Sequence, residues 1–247
     1  MQILEPLHLV GSGQFAISNE YDCHVYLVDC GAEVCLIDAG AGLGEDRVLA
    51  NIASAGYSPE RITRIFVTHA HADHAGGCRG LVRATGAEVV TSAAEGRLMA
   101  EGDDDALGLV LAKHSACYPP DYVYPHCKPD RIVADGDQLQ LGEVLVTCYV
   151  VPGHSAGSVC YLFESLDGRS VLFTGDTVFF RGLVGLLNCP GSDIALYRES
   201  IARLAEVQFD SLMPGHLLFA LERGMEHIAQ AHESLKGVFL PRSMGQL

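Results

Sequence analysis

Short apolar runs alternate along the chain with small, turn-forming residues, and four of these runs end at a ligand-capable side chain. Ile65-Phe66-Val67 leads into Thr68 and a histidine-rich stretch, and Val144 to Val151 ends in Pro152-Gly153-His154. Ser170 to Phe173 runs into Gly175-Asp176, and Ser211 to Met213 into Pro214-Gly215-His216. Runs of this length bounded by Gly and Pro read as strands, and loops leaving one edge of a sheet converge on a common point. Val25 to Val28 and Val34 to Ile37 read as a hairpin pair with Asp38-Ala39-Gly40 at the exit, and Leu166-Asp167-Gly168 is a turn signal between later strands. Arg47 to Ala55, Gly80 to Ala84, Ala93 to Ala100, Ile194 to Ala205 and Leu221 to Leu235 read as helices. Strands alternate with helices in the first half and then turn antiparallel, which predicts an α/β fold.

Candidate chemistry sits where the strands end. His69, His71, Asp73 and His74 place four metal-capable groups within six residues. Imidazole nitrogen and carboxylate oxygen are both good ligands for zinc, iron or manganese. Packed so closely behind a buried strand, they would be costly without a partner that satisfies them. His154, Asp176 and His216 extend the set. Asp38, at the end of an apolar strand, suits an acceptor that orients a ligating imidazole. His8, His114, His126, His227 and His232 read as ordinary surface or core residues. Gly40-Ala41-Gly42-Leu43-Gly44 reads as a turn, because Glu45 stands where a dinucleotide fingerprint needs its third glycine.

The segment His69-Ala70-His71-Ala72-Asp73-His74, with His154, Asp176 and His216 following, resembles the ligand pattern of the metallo-β-lactamase superfamily over nearly the whole chain. Gly175-Asp176-Thr177-Val178-Phe179 and Pro152-Gly153-His154-Ser155-Ala156-Gly157-Ser158 are similar to its glyoxalase II branch. The resemblance implies an αββα sandwich, a single domain over 1–247 built from two similar halves. It also implies two divalent cations, zinc first, with iron or manganese as alternatives. By position His69, His71 and His154 would hold one ion, Asp73, His74 and His216 the other, with Asp176 between them. Such a pair shares and acidifies a water and polarises a carbonyl oxygen. The implied activity is hydrolysis of a small-molecule thioester, ester or lactone, with Asp73 and Asp176 as the catalytic carboxylates.

Other branches fit less well. Lactamases usually lack an Asp at the bridging position and are exported, and the flavin-linked di-iron branch has Glu where His71 stands. Acyl-homoserine lactonases place a Tyr where this chain has Phe179, and a lactonase is kept as an alternative. So is a mononuclear iron oxygenase of the persulfide dioxygenase type, which uses a similar ligand set; a non-catalytic metal sensor is a further alternative. Glyoxalase II enzymes carry a helical extension whose basic residues help hold glutathione. Only 31 residues follow His216 here (247 minus 216), so that extension is expected to be short or missing, with Arg223, Lys236 and Arg242 as its basic residues.

Composition narrows the partners. With 247 residues, 49% of them hydrophobic, the chain can bury a sizeable core. A net charge of -15, with no Lys/Arg cluster, argues against nucleic acid as substrate. Met1 to Val10 holds no basic cluster or signal-length apolar run, and nothing approaches the roughly 18 apolar residues of a membrane span, so a cytoplasmic protein without membrane contact is expected. Nothing in the pattern sets an oligomeric state. Nine cysteines without CxxC spacing read as reduced and mostly buried. From Cys117 to Lys128 the chain concentrates Tyr118, Tyr122 and Tyr124 among three prolines, which suits a stiff wall over an apolar pocket or a loop packed on its own rings. As a wall, joined by Phe15 and Tyr21 from an N-terminal hairpin and by Phe179, it would contact the substrate.

Overall fold

The hairpin read from Val25 to Ile37 lies inside the first of two sheets in the computed structural model, which describes residues 1–244. Strands β1 (Gln2–Leu4), β2 (Leu7–Gly11), β3 (Val25–Asp29) and β4 (Val34–Ile37) pair antiparallel in succession. The sheet then turns parallel at β5 (Ile62–Phe66) and β6 (Glu88–Ser92), and β7 (Arg131–Val133) completes the order. Parallel neighbours need long crossovers. Helix α1 (Glu45–Ser54) carries the chain from β4 to β5, and α2 (Ala72–Ala75) and α3 (Cys78–Thr85) carry it from β5 to β6. Helices α4 (Ala93–Glu101) and α5 (Leu109–His114) follow. Val48 and Ile52, one turn apart on α1, are buried with Leu27, Leu36, Ile65, Val67 and Leu81 in the core of this unit, Met1–Ile132.

The second unit, Val133–Leu247, holds a sheet of order β12-β11-β10-β9-β8. Strands β8 (Gln138–Leu141), β9 (Val144–Val150), β10 (Val159–Leu166) and β11 (Arg169–Gly175) pair antiparallel. Asp167 (φ 53°) and Gly168 (φ 71°) make the two-residue turn between β10 and β11, both positive as a type I′ turn requires. Helix α6 (Ile194–Leu204), capped by the Asp193 carboxylate on the Ala195 and Leu196 amides, crosses over to β12 (Ser211–Pro214), which is parallel to β11. Helix α7 (Gly224–Lys236) ends the regular structure, and its Ile228, Ala231 and Leu235 join Tyr197, Ile201 and Leu212 in the core of this unit.

The five expected helices are present, with one start displaced. Leu221 to Arg223 stay outside α7 because Ala220 bridges Leu212 and the Leu221 carbonyl accepts from Ser211 Oγ at 2.7 Å. Helix α5 was not expected: Val110 and Leu111 lie 51% and 43% exposed on it, so its apolar residues mark no single face. Phe15 and Tyr21 sit in the connection between the antiparallel partners β2 and β3. Cys23, Cys30, Cys35, Cys78, Cys148 and Cys160 are buried and unbridged. No helix among the described residues is long and apolar enough to cross a membrane.

Candidate metal centre

The histidine-rich segment begins at His69, three residues beyond the C-terminal end of β5, which lies between parallel neighbours, and runs into the short helix α2. An abrupt exit from a buried strand keeps the side chains close. His69 and His74 are fully buried with ring centroids 4.0 Å apart, and His69 Nε2 lies 3.0 Å from His71 Nδ1. The peptide between His69 and His71 is held from both sides. The Ala70 amide donates to Glu95 Oε2 at 2.8 Å, and the Ala70 carbonyl accepts from Tyr124 Oη at 3.1 Å.

Asp38 orients the imidazoles. It leaves β4 with φ 61°, a strained value for a non-glycine residue, and is 1% exposed. Its Oδ2 is 2.8 Å from His74 Nδ1, and its two oxygens accept from the Thr68 amide at 2.8 Å and the Thr68 hydroxyl at 3.0 Å. The carboxylate can only accept, so His74 carries its proton on Nδ1 and turns the Nε2 lone pair the other way. Thr68 Oγ1 spends its proton on Asp38, so it accepts from His69 Nδ1 at 3.0 Å, and His69 likewise presents Nε2. Cys23 also lies within ligand distance of Asp38 and His74. Burial pushes the Cys23 thiol well above its ordinary range, against the opposing pull of His74, so it stays protonated as a small apolar neighbour. Asp38→Asn keeps the shape but loses the charge and one acceptor; metal affinity, read by chelator competition, should fall about 10- to 100-fold. Affinity equal to the parent's would show that Thr68 and the fold suffice.

In the second unit three loops supply the ligand candidates. Gly153 (φ 146°) follows β9 and lies against Tyr197, where a Cβ would come within 2.7 Å of the Tyr197 Cα; His154 comes next, fully buried. Asp176 follows β11 and His216 follows β12, at the C-terminal ends of parallel neighbours tied by the Gly215 amide on the Gly175 carbonyl at 2.8 Å. Asp176 Oδ2 lies 3.8 Å from His154 Nε2 and 3.6 Å from His216 Nε2. His154 donates through Nδ1 to the Gly185 carbonyl at 2.5 Å. Tyr197 Oη binds the Thr177 carbonyl at 2.7 Å and receives the Gly185 amide at 3.0 Å, so one phenol braces the loops of both His154 and Asp176. A Cβ at Gly185 would strike the Asp176 carbonyl.

The ring residues read as substrate contacts take different partners. Tyr122 and Tyr124 are 4% exposed in the first unit's core, with Tyr122 Oη on the Ala41 carbonyl at 2.8 Å. Tyr118 Oη binds Asp73. Phe15 is 36% exposed and stacks on His24 at 5.1 Å, Tyr21 leans on Tyr118 at 6.2 Å, and Phe179 is fully buried, 6.4 Å from the His216 ring. Thr68, Glu95 and Tyr197 were missed. Ser92-x-x-Glu95 reads as a capping box, and Ser92 does accept from the Glu95 amide at 3.4 Å, while the Glu95 carboxylate accepts from the Ala70 amide.

Donor spacing tests whether these residues suit a metal. With bonds of about 2.0 to 2.2 Å, two donors on one tetrahedral ion lie about 3.4 Å apart. Asp73 Oδ2 to His74 Nε2 is 3.5 Å, beside the 3.6 and 3.8 Å separations at Asp176. Such contacts are too long for good hydrogen bonds and suit donors turned toward a shared cation. Nitrogen and carboxylate oxygen in this mixture fit a divalent transition metal.

The family model described as "Metallo-beta-lactamase superfamily" matches residues 19–216. The chain is 28% identical over 254 residues to an acyl-coenzyme A thioesterase MBLAC2 of Gallus gallus, covering 93% of this chain and 86% of that one. It is 34% identical over 188 residues to a hydroxyacylglutathione hydrolase of Anaeromyxobacter dehalogenans, covering 74% of this chain and 57% of that one. A solved metallo-beta-lactamase from Cronobacter sakazakii superposes with a TM-score of 0.75 at 25% identity, covering 96% of this chain and 94% of that one.

Proposed function

The chain belongs to the metallo-beta-lactamase superfamily, and from that premise we propose that it is a metal-dependent hydrolase of a small-molecule thioester, with esters and lactones as the neighbouring substrate classes. By the family resemblance, His69, His71, Asp73, His74, His154, Asp176 and His216 would ligate two divalent cations, zinc being the best match to a nitrogen and oxygen donor set. One domain built from two halves is the arrangement this reading implies. The observation that carries it is the 3.5 to 3.8 Å spacing of carboxylate oxygen from imidazole nitrogen at three places. The relatives' names, an acyl-coenzyme A thioesterase and a hydroxyacylglutathione hydrolase, put the thioester first. Phe179 in place of a phenol puts the lactone lower.

Divalent cations held by these residues supply Lewis acidity to a carbonyl oxygen and lower the pKa of a water. The protein's own part is orientation and proton handling. Asp38, Thr68 and the Gly185 carbonyl hold three imidazoles by their Nδ1 atoms, so the Nε2 lone pairs are preset before substrate arrives. Asp73 accepts a proton from the attacking water and returns it to the leaving thiolate. Asp176 contributes negative charge between ligands that gather cations. Phe15 is the candidate ring best exposed to meet an acyl or leaving group.

The deciding experiment pairs elemental analysis with a substrate panel of acyl-coenzyme A, S-acylglutathione, carboxylic esters and lactones. The expected result is close to two transition-metal ions per chain with the highest kcat/KM on a thioester. One iron per chain with oxygen consumed during persulfide turnover would replace this reading with the oxygenase, because zinc cannot activate oxygen.

A further inference from the structure

We propose that Tyr118 is a positioning residue that decides which oxygen of Asp73 faces the metal. The inference rests on Asp73 being a metal ligand, as proposed above, and adds how its carboxylate is aimed.

Tyr118 meets Asp73 twice. Its Oη accepts from the Asp73 backbone amide at 3.1 Å and lies 2.6 Å from Asp73 Oδ1. A phenol has one proton, and an amide N–H can only donate, so that proton goes to Oδ1. The hydrogen-bond direction is therefore unambiguous. Oδ2 is left as the oxygen 3.5 Å from His74 Nε2, on the side where the imidazole presents its lone pair.

Rigidity comes from what holds the ring. Tyr118 stacks on Tyr122 with centroids 5.3 Å apart and planes 26° from parallel, and Tyr122 is anchored through its hydroxyl to the Ala41 carbonyl. Pro119 and Pro120 stiffen the chain directly after it. A phenol committed at both its proton and a lone pair is a poor substrate contact. The tyrosine-proline segment, on this argument, serves Asp73 rather than the acyl group.

The test is Tyr118→Phe, which removes the hydroxyl and keeps the stacked ring. Cobalt(II) binding by chelator competition, the cobalt absorption spectrum and the unfolding of metal-free protein are measured on the parent, on this variant, on Asp73→Ala and on the double variant. Expected are an unfolding transition close to the parent's, a changed cobalt spectrum, and an affinity lower by about 10- to 100-fold for Tyr118→Phe alone. In the Asp73→Ala background the same substitution should change affinity by no more than about twofold, because the group it acts through is gone. An equal loss in both backgrounds, or parent-like affinity in the single variant, would overturn the inference while leaving the metal site standing. A parent that takes up no cobalt would overturn both.

Discussion

Asp73→Asn should lower kcat by about 10²- to 10⁴-fold on every substrate the enzyme accepts, with the fold intact. The backbone at this position is held independently of the carboxylate: the Asp73 amide donates to Tyr118 Oη, and its carbonyl accepts from the Cys23 amide at 3.3 Å. Asparagine keeps the shape but has one acceptor oxygen. The Tyr118 proton claims that oxygen at the Oδ1 position, so the amide NH2 falls where Oδ2 was, 3.5 Å from His74 Nε2. An NH2 group there neither ligates a cation nor takes a proton from water. Steady-state kinetics, far-UV circular dichroism and elemental analysis together check this. Near-parent turnover would show that Asp73 handles no proton.

Asp176→Ala should strip metal as well as rate. Two dications held by these residues would repel each other, and the negative charge of the Asp176 carboxylate would offset that repulsion. Asp176 is 5% exposed, with its Oδ2 facing both His154 and His216. Its backbone has other supports, since Tyr197 Oη holds the next carbonyl and the Gly175 carbonyl accepts from Gly215. The variant should therefore fold, keep about one ion per chain after dialysis, and lose more kcat/KM than the about 10- to 100-fold typical of removing a group that only orients a ligand. Two ions per chain with an unchanged rate would remove Asp176 from the bridging role.

The strands were legible where burial and turn chemistry agree. Val34 to Ile37 is an uninterrupted apolar run and is buried throughout, and the Asp-Gly pair at 167 and 168 forms the turn its composition demands. Helix ends were less legible, because Leu221 continues the apolar spacing of α7 yet is held by Ser211 on the preceding strand, β12. The tyrosine segment shows the limit most clearly. Tyr118, Tyr122 and Tyr124 look alike in sequence, but the structure directs their hydroxyls to Asp73, the Ala41 carbonyl and the Ala70 carbonyl.

What the sequence determined by itself is the chemistry of the donor set: imidazoles and carboxylates placed just after apolar runs, a composition that suits divalent cations. Only the tertiary structure decided how those donors are aimed. Asp38 acts on His74 across 36 residues, Tyr118 on Asp73 across 45, Tyr124 on Ala70 across 54 and Glu95 on Ala70 across 25. A ligand's identity belongs to its own side chain, whereas its tautomer and lone-pair direction belong to its partners. Those partners are brought close by strand pairing and by burial of whole faces, which local periodicity does not encode.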